Sequence, residues 1–337
     1  MTNTKTNALE GMVNLASPNL GTKVVSVSDE FFAEGKRMLS DSAPVFRPDV
    51  YDEHGKWMDG WETRRRRDGG EFDWALVKLG ATGKIARVEI DTTHFTGNYP
   101  PYAALEGCTG ESKPDEKTEW RTLVEKTELR GDASHVFDIN SDLVDWVRVK
   151  IYPDGGIARL RLWGRVCPAW DRIATDELVE LSCLRYGGRI VAYSDAHYGD
   201  VQALISERPG ENMGDGWETR RRRDGGNDWI IVALGREAVV SSAVVDTAYF
   251  RGNYPHSFSL YGGYIPEELS AEETVGLSEK WDKIISKQQL KADNRHVFDE
   301  NFIAGHKPVN YVRLNIYPDG GVSRLRIYGA PFDSRLE

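Results

Sequence analysis

The segment Asp59-Gly60-Trp61-Glu62-Thr63-Arg64-Arg65-Arg66-Arg67-Asp68-Gly69-Gly70 returns unchanged at Asp215 to Gly226. Three more motifs return in the same order. Asp91-Thr92-Thr93-His94-Phe95-Thr96-Gly97-Asn98-Tyr99-Pro100 matches Asp246 to Pro255, His135-Val136-Phe137-Asp138 matches His296 to Asp299, and Tyr152-Pro153-Asp154-Gly155-Gly156 matches Tyr317 to Gly321. A chain of 337 residues that carries this order twice must fold as two copies of one unit. The spacing between motifs drifts by a few residues, as insertions in loops allow. The reading divides the chain into an N-terminal extension (1–20), a first repeat (21–168), a linker with apolar residues of its own (169–186) and a second repeat (187–332).

Each copy reads as β. Asp73 to Leu79, Ala86 to Asp91, Val147 to Ile151 and Ile157 to Trp163 are short apolar or alternating runs bounded by Gly, Pro and Asp. Tyr152 to Gly156 carries the Pro and Gly of a tight turn, so the last two runs are expected to form a hairpin. Many such strands with little helical periodicity predict an all-β chain of two tandem galactose-binding-like jelly-roll sandwiches. Short helices are expected after Ser28-Asp29 and Ser194-Asp195, where Ser or Asp is suited to cap a first turn.

Composition narrows the function classes. Hydrophobic residues make up 40% of the chain and ten are tryptophan, enough for a substantial core. The net charge of -10 disfavours a general nucleic-acid binder. No run approaches the roughly 18–20 apolar residues of a membrane span, and Met1 to Glu10 lacks the apolar centre of a secretion signal. Cys108, Cys167 and Cys183 fit neither a zinc nor a redox spacing and read as reduced thiols of a cytosolic protein.

Comparing the copies within one chain separates scaffold from chemistry. Core-type positions have drifted, with Val88 against Ala243, Ile90 against Val245 and Val149 against Leu314, an exchange that cores tolerate. The charged motifs have not. Four consecutive arginines need anions, which can come from structural ion pairs or from a ligand. Arg159 and Arg161, with Arg324 and Arg326, alternate with apolar residues and are expected on a polar, solvated sheet face beside Arg148 and Arg313. His135 and His296 are equivalent and suit either a structural hydrogen bond or catalysis. His94 faces Tyr249 in the second copy, Thr96 faces Arg251, and His197 and His256 have no histidine counterparts, so the copies are expected to have taken different roles. No metal motif, phosphate-cradling glycine loop or nucleophile elbow is present; a divalent ion such as Mn2+ would need ligands gathered from distant positions.

The duplicated Gly-Trp-Glu-Thr-Arg-Arg-Arg-Arg, together with Asp-Thr-x-x-Phe-x-Gly-Asn-Tyr-Pro, His-Val-Phe-Asp and Tyr-Pro-Asp-Gly-Gly, resembles the signature of the allantoicase family from about Leu15 to Ala330. The resemblance implies a cytosolic enzyme of purine (allantoin) degradation, a hydrolase of C–N bonds in linear amidines. It would convert allantoate to ureidoglycolate and urea in a homo-oligomer, commonly a hexamer, without nucleic-acid or membrane partners. Allantoate carries one carboxylate and two ureido arms on a single carbon, so arginine suits the former and carboxylate or asparagine side chains the latter. Urea leaves poorly unless it is protonated or polarised. These requirements assign carboxylate binding to Arg64 or Arg66, acid–base work to Glu62, His94 or His135, and orientation to Asp91 and Asn98. Glu218, Arg220, Asp246 and Asn253 would form a second site or brace the first. Two other readings stand: a non-catalytic carbohydrate- or ligand-binding pair of jelly rolls, and a hydrolase of a related ureide such as ureidoglycolate.

Overall fold

The computed structural model describes residues 12–174, 176–305 and 307–332, which form two compact units, 12–168 and a second beginning at Ala169. The first unit contains β1 (Val13–Asn14), β2 (Lys23–Val27), β3 (Tyr51–Asp52), β4 (Gly55–Lys56), β5 (Trp61–Glu62) and β6 (Asp73–Asp91). It continues through β7 (Tyr102–Cys108), β8 (Arg121–Glu128), β9 (Ser134–Asp138), β10 (Leu143–Tyr152), β11 (Gly156–Ile157) and β12 (Arg159–Val166). The second unit repeats the plan. Its strands are β13 (Val179–Glu180), β14 (Arg189–Tyr193), β15 (Trp217–Glu218), β16 (Asp228–Asp246), β17 (Ser257–Gly263), β18 (Asp282–Gln289), β19 (Arg295–Phe298), β20 (Val309–Tyr317), β21 (Gly321–Val322) and β22 (Arg324–Pro331).

All named pairings are antiparallel, and the path β1-β12-β6-β10-β7-β8 is matched by β13-β22-β16-β20-β17-β18. The sandwich is built around one strand of 19 residues, β6, where the sequence suggested two separate runs. Its first part lies between β2 and β10, its last part between β12 and β9, so it passes from one layer to the other. The crossing needs glycine. A Cβ at Gly80 would sit 2.0 Å from the Leu20 carbonyl oxygen, and one at Gly235 would sit 1.7 Å from that of Tyr186. Ala75, Val77, Leu79, Val88 and Ile90 of β6 are buried with Val147, Val149, Leu160 and Leu162. Such alternation is how each layer of a sandwich turns one face inward.

Three expectations are corrected. The runs on either side of Tyr152-Pro153-Asp154-Gly155-Gly156 do not pair as a hairpin: β10 and β12 both pair with β6, which lies between them. No α-helix follows Ser28-Asp29 or Ser194-Asp195; short 3-10 turns occur at Gly35–Leu39 and Val201–Ile205 instead. The capping groups are engaged elsewhere. Ser28 Oγ accepts from the Trp74 amide, and Asp29 accepts from the backbone and side chain of Arg64. The α-helix among the described residues is Ala271–Ser278, opened by a reciprocal Ser270–Glu273 capping box.

The third correction concerns the arginines on β12 and β22, which are not a solvated face. Arg159 and Arg324 are both fully buried. Arg161 donates to the Ser42 carbonyl, and Arg326 donates through Nη1 to both oxygens of Glu180 and through Nη2 to the Glu207 carbonyl. Arg148 ion-pairs with Glu106 and lies over Trp120, and Arg313 lies over Trp229. Loops laid over this side of the sheet supply the carbonyls and carboxylates that a buried guanidinium requires.

β1 lies ahead of Gly21 and already belongs to the first sheet. Val179, Leu181, Cys183 and Leu184 are likewise buried in the second unit. No described helix is long and apolar enough to cross a membrane.

Candidate active site

Trp61 fixes the start of the site. Its ring is fully buried and its indole donates to the Asp29 carbonyl at 2.8 Å. Because side chains alternate along a strand, Glu62 then points away from the core. Its backbone is held on both edges, by Ala33 on one side and by Gly156 of β11 on the other. Asn98 Nδ2 donates to Glu62 Oε1 at 2.8 Å, and the Asn98 carbonyl accepts from the Gly156 amide at 2.8 Å. Gly155 makes this closure possible: its φ is +136°, and a Cβ there would lie 2.9 Å from the Asn98 carbonyl oxygen. The frozen motifs around Glu62, Asn98 and Gly155 therefore meet at one point.

Glu62 and Asn98 line a cavity of about 480 Å³ together with His94, Thr96, Asp132, Phe46, His54 and Lys56. That volume suits a small molecule. Burial raises the Glu62 carboxyl above its ordinary pKa, and the Asn98 hydrogen bond opposes the rise only in part. Between the ordinary and the raised value, the native chain holds a proton that the unfolded chain has released. Stability is therefore lost as pH rises through that window. Glu62→Gln cannot ionise and should escape the loss. Melting temperatures taken from about pH 4 to about pH 8 should be equal at the acid end and favour the variant at the upper end. A variant lower by a constant amount throughout would contradict the assignment.

His94 sits in the left-handed region, at φ 69°, unusual for a side chain of its size. The Asp132 carboxylate holds it there by accepting its amide at 2.9 Å. Its Nε2 lies 3.3 Å from the Pro44 carbonyl; in the tautomer that donates this bond, Nδ1 is a free acceptor. Asp91 does not line the cavity. It accepts from the Thr93 amide at 2.8 Å and so shapes the turn that delivers His94; Asp246 does the same through Ala248.

The other predicted residues lie outside the cavity. His135 has both ring nitrogens engaged by the backbone, Nδ1 with the Ile90 carbonyl and Nε2 with the Arg130 amide. His296 repeats this with Val245 and Lys291. Arg66 forks onto Asp68 and also reaches Asp73, closing the loop that leads into β6. Arg64 pairs with Asp29 at 2.6 Å and lies over Phe31, whose ring contacts the cavity-lining His54. It stands one ring outside the site.

The sequence reading missed Lys56, His54, Phe46 and Asp132. Three of these arise from an insertion. Arg159 donates to the Ser42 carbonyl, the Asp59 carbonyl and the Asp59 carboxylate, pinning both ends of a loop that carries the β3–β4 hairpin. Arg324 pins the equivalent points in the second unit, at Arg208 and Asp215. Between these clamps the first unit runs from Ser42 to Asp59, the second only from Arg208 to Asp215. The extra length is what brings Phe46, His54 and Lys56 to the cavity, and the unequal spacing was visible in the sequence.

Residues 13–167 and 179–332 each match the family model of the allantoicase repeat. The chain belongs to the allantoicase family. A probable allantoicase of Rhizobium meliloti (strain 1021) is 48% identical over 329 residues, covering 96% of each chain. A probable allantoicase of Acinetobacter baylyi is 45% identical, covering 96% of this chain and 95% of the relative. The crystal structure of allantoicase from Saccharomyces cerevisiae has a TM-score of 0.79 at 35% identity, covering 95% of this chain and 93% of that one. The duplicated jelly-roll plan is thus the allantoicase plan. Among the described residues, no three His, Cys, Asp or Glu side chains gather as a set of metal ligands. The polar side chains of Glu62, His94, Asn98, Asp132 and Lys56 line the first cavity.

Proposed function

We propose that the cavity of the first unit hydrolyses allantoate to ureidoglycolate and urea, with Glu62 moving the proton that lets urea leave. Family membership supports the reaction class, hydrolysis of a C–N bond in a linear amidine. The observation that carries the site is the half-buried Glu62, raised in pKa, tethered by Asn98 and set in a cavity of substrate size.

Protonated Glu62 donates to the nitrogen of one ureido arm as its bond to the central carbon breaks, and the lone pair on the other arm's nitrogen forms the C=N bond. Urea departs neutral. Water then adds to the central carbon and gives its proton to the Glu62 carboxylate, restoring the acid. Burial suits the first step, because a carboxyl that keeps its proton nearer neutrality can act as an acid there. His94, through Nδ1, orients the incoming water. The Asn98 amide holds Glu62 in place, and Asp132 accepts from the N–H groups of an arm.

Lys56 is the strongest cation lining this cavity, and its ammonium lies 4.3 Å from the Phe46 ring centroid with no carboxylate partner among the described residues. It replaces Arg64 and Arg66 as the partner of the substrate carboxylate, since those guanidiniums are taken up by Asp29, Asp68 and Asp73. Purified protein given allantoate should release one urea per ureidoglycolate. Lys56→Ala should raise KM about tenfold or more while changing kcat less, as for loss of binding common to ground and transition states. Absence of urea would sink the reaction, and an unchanged KM would sink the role of Lys56.

A cytosolic place in purine degradation is part of the same proposal and agrees with three unpaired cysteines, two of them buried. Assembly as a homo-oligomer, with a hexamer as the expected size, is tested by light scattering on the purified protein.

A further inference from the structure

The second unit has a cavity of about 700 Å³ beside the equivalent carboxylate–amide pair, with a different lining. The carboxylate–amide pair is kept: Glu218 is buried, and Asn253 Nδ2 donates to its Oε1. Gly320, again at φ +136°, lets the Asn253 carbonyl accept from the Gly321 amide at 2.8 Å. What surrounds the pair has changed. The short loop between Arg208 and Asp215 has no hairpin to match β3–β4, and Tyr249 takes the place of His94. His197 and His256 line the cavity where the first copy has Phe31 and Pro101.

Three consecutive arginines also line it, and they are not equivalent. Arg220 is paired with Asp195, and Arg222 with Asp224 and Asp228. Arg221 is exposed and makes no ion pair or hydrogen bond with a described residue, whereas its counterpart Arg65 reaches Asp154 at 3.4 Å. A guanidinium left over in a cavity suits a carboxylate in its fork geometry. The carboxylate of Glu218 suits an N–H donor. A small molecule bearing both groups is a ureido acid.

We propose that the second cavity is a separate binding site for a ureido carboxylate, gripped by Arg221 and Glu218, which holds its ligand without hydrolysing it. The inference rests on the reading of the first cavity, because it takes the ligand class from that reaction. It lacks turnover because the β3–β4 hairpin, which brings Lys56 and His54 to the first cavity, has no counterpart in the second unit, and Tyr249 stands at the position of His94.

Titration calorimetry with allantoate on the full-length Glu62→Gln protein tests this, since that variant should bind without consuming the ligand. Two sites per chain are expected. Adding Arg221→Ala, an exposed change with little expected effect on folding, should remove one site, and adding Lys56→Ala should weaken the other. Arg221→Ala alone should leave urea release by the otherwise unaltered enzyme at its original rate at saturating allantoate. A single site that is weakened by Lys56→Ala and indifferent to Arg221→Ala would overturn the proposal, as would two sites both indifferent to Arg221→Ala, or no binding at all. Failure of the first-cavity reading looks different: Glu62→Gln would still release urea at the unaltered rate.

Discussion

Glu62→Gln is expected to lower kcat by about 10²–10⁴-fold, the usual contribution of a positioned acid–base group, with a much smaller change in KM. The substitution keeps the shape of the side chain and an oxygen for the Asn98 amide, whose 2.8 Å bond holds the native carboxyl. It removes only the proton that can be given and taken back. Folding is therefore not at issue, and the pH-dependent gain in stability expected of the same variant provides an internal control. The alkaline limb of the native kcat/KM profile, where Glu62 loses the proton it must give, should lie above the ordinary glutamate range, in the direction that burial pushes Glu62. Turnover within a factor of about three of the native value would remove Glu62 from the chemistry.

Arg159→Met is expected to be the most damaging single change to the fold of the first unit. The guanidinium is fully buried, with bonds of 2.9 Å to the Ser42 and Asp59 carbonyls and 2.7 Å to the Asp59 carboxylate. Removing it strands a largely buried carboxylate, and breaking one side of a buried pair costs about 3–5 kcal/mol. For a unit of this size that corresponds to a fall of roughly 10 °C in the melting transition of the first unit. The loop released at both ends is the one carrying Phe46, His54 and Lys56. Activity should therefore fall further than the fraction unfolded explains, through a raised KM. Asp59→Asn/Arg159→Met together should recover part of the stability, because no buried charge is then left unpaired. Equal melting temperatures for Arg159→Met and the native protein, by calorimetry, would rule out the clamp.

How much of the site was legible depended on what each frozen residue was frozen for. Glu62, His94 and Asn98 stood out as polar residues in repeated motifs, and the structure gathers them at one cavity. Asp91, His135 and Arg66 stood out equally, yet their hydrogen-bonding groups are taken up by Thr93, by Ile90 and Arg130, and by Asp68 and Asp73. Repetition marks a residue as indispensable without saying whether it braces a turn or meets a ligand. Lys56 and His54 carried no such mark, because they belong to a loop that the second copy lacks. The arginines of β12 and β22 misled in another way. Their alternation with leucine correctly put them on the opposite side of the strand, but alternation is silent on what covers that side.

The sequence by itself determined the duplication, the β class and the family, and put Glu62 and Asn98 among the candidates, since motifs and periodicity are local and survive being read along one dimension. Tertiary structure decided which strands are neighbours, which charges are buried and which arginines remain free, because all three depend on partners far away in the chain. The strand β6 shows the difference most plainly: its residues announce that it is extended, yet only its passage between two layers separates β10 from β12. The clamp Arg159 then holds the segment that lines the first cavity, and its equivalent Arg324 holds a shorter segment without a hairpin, one reason the two cavities differ.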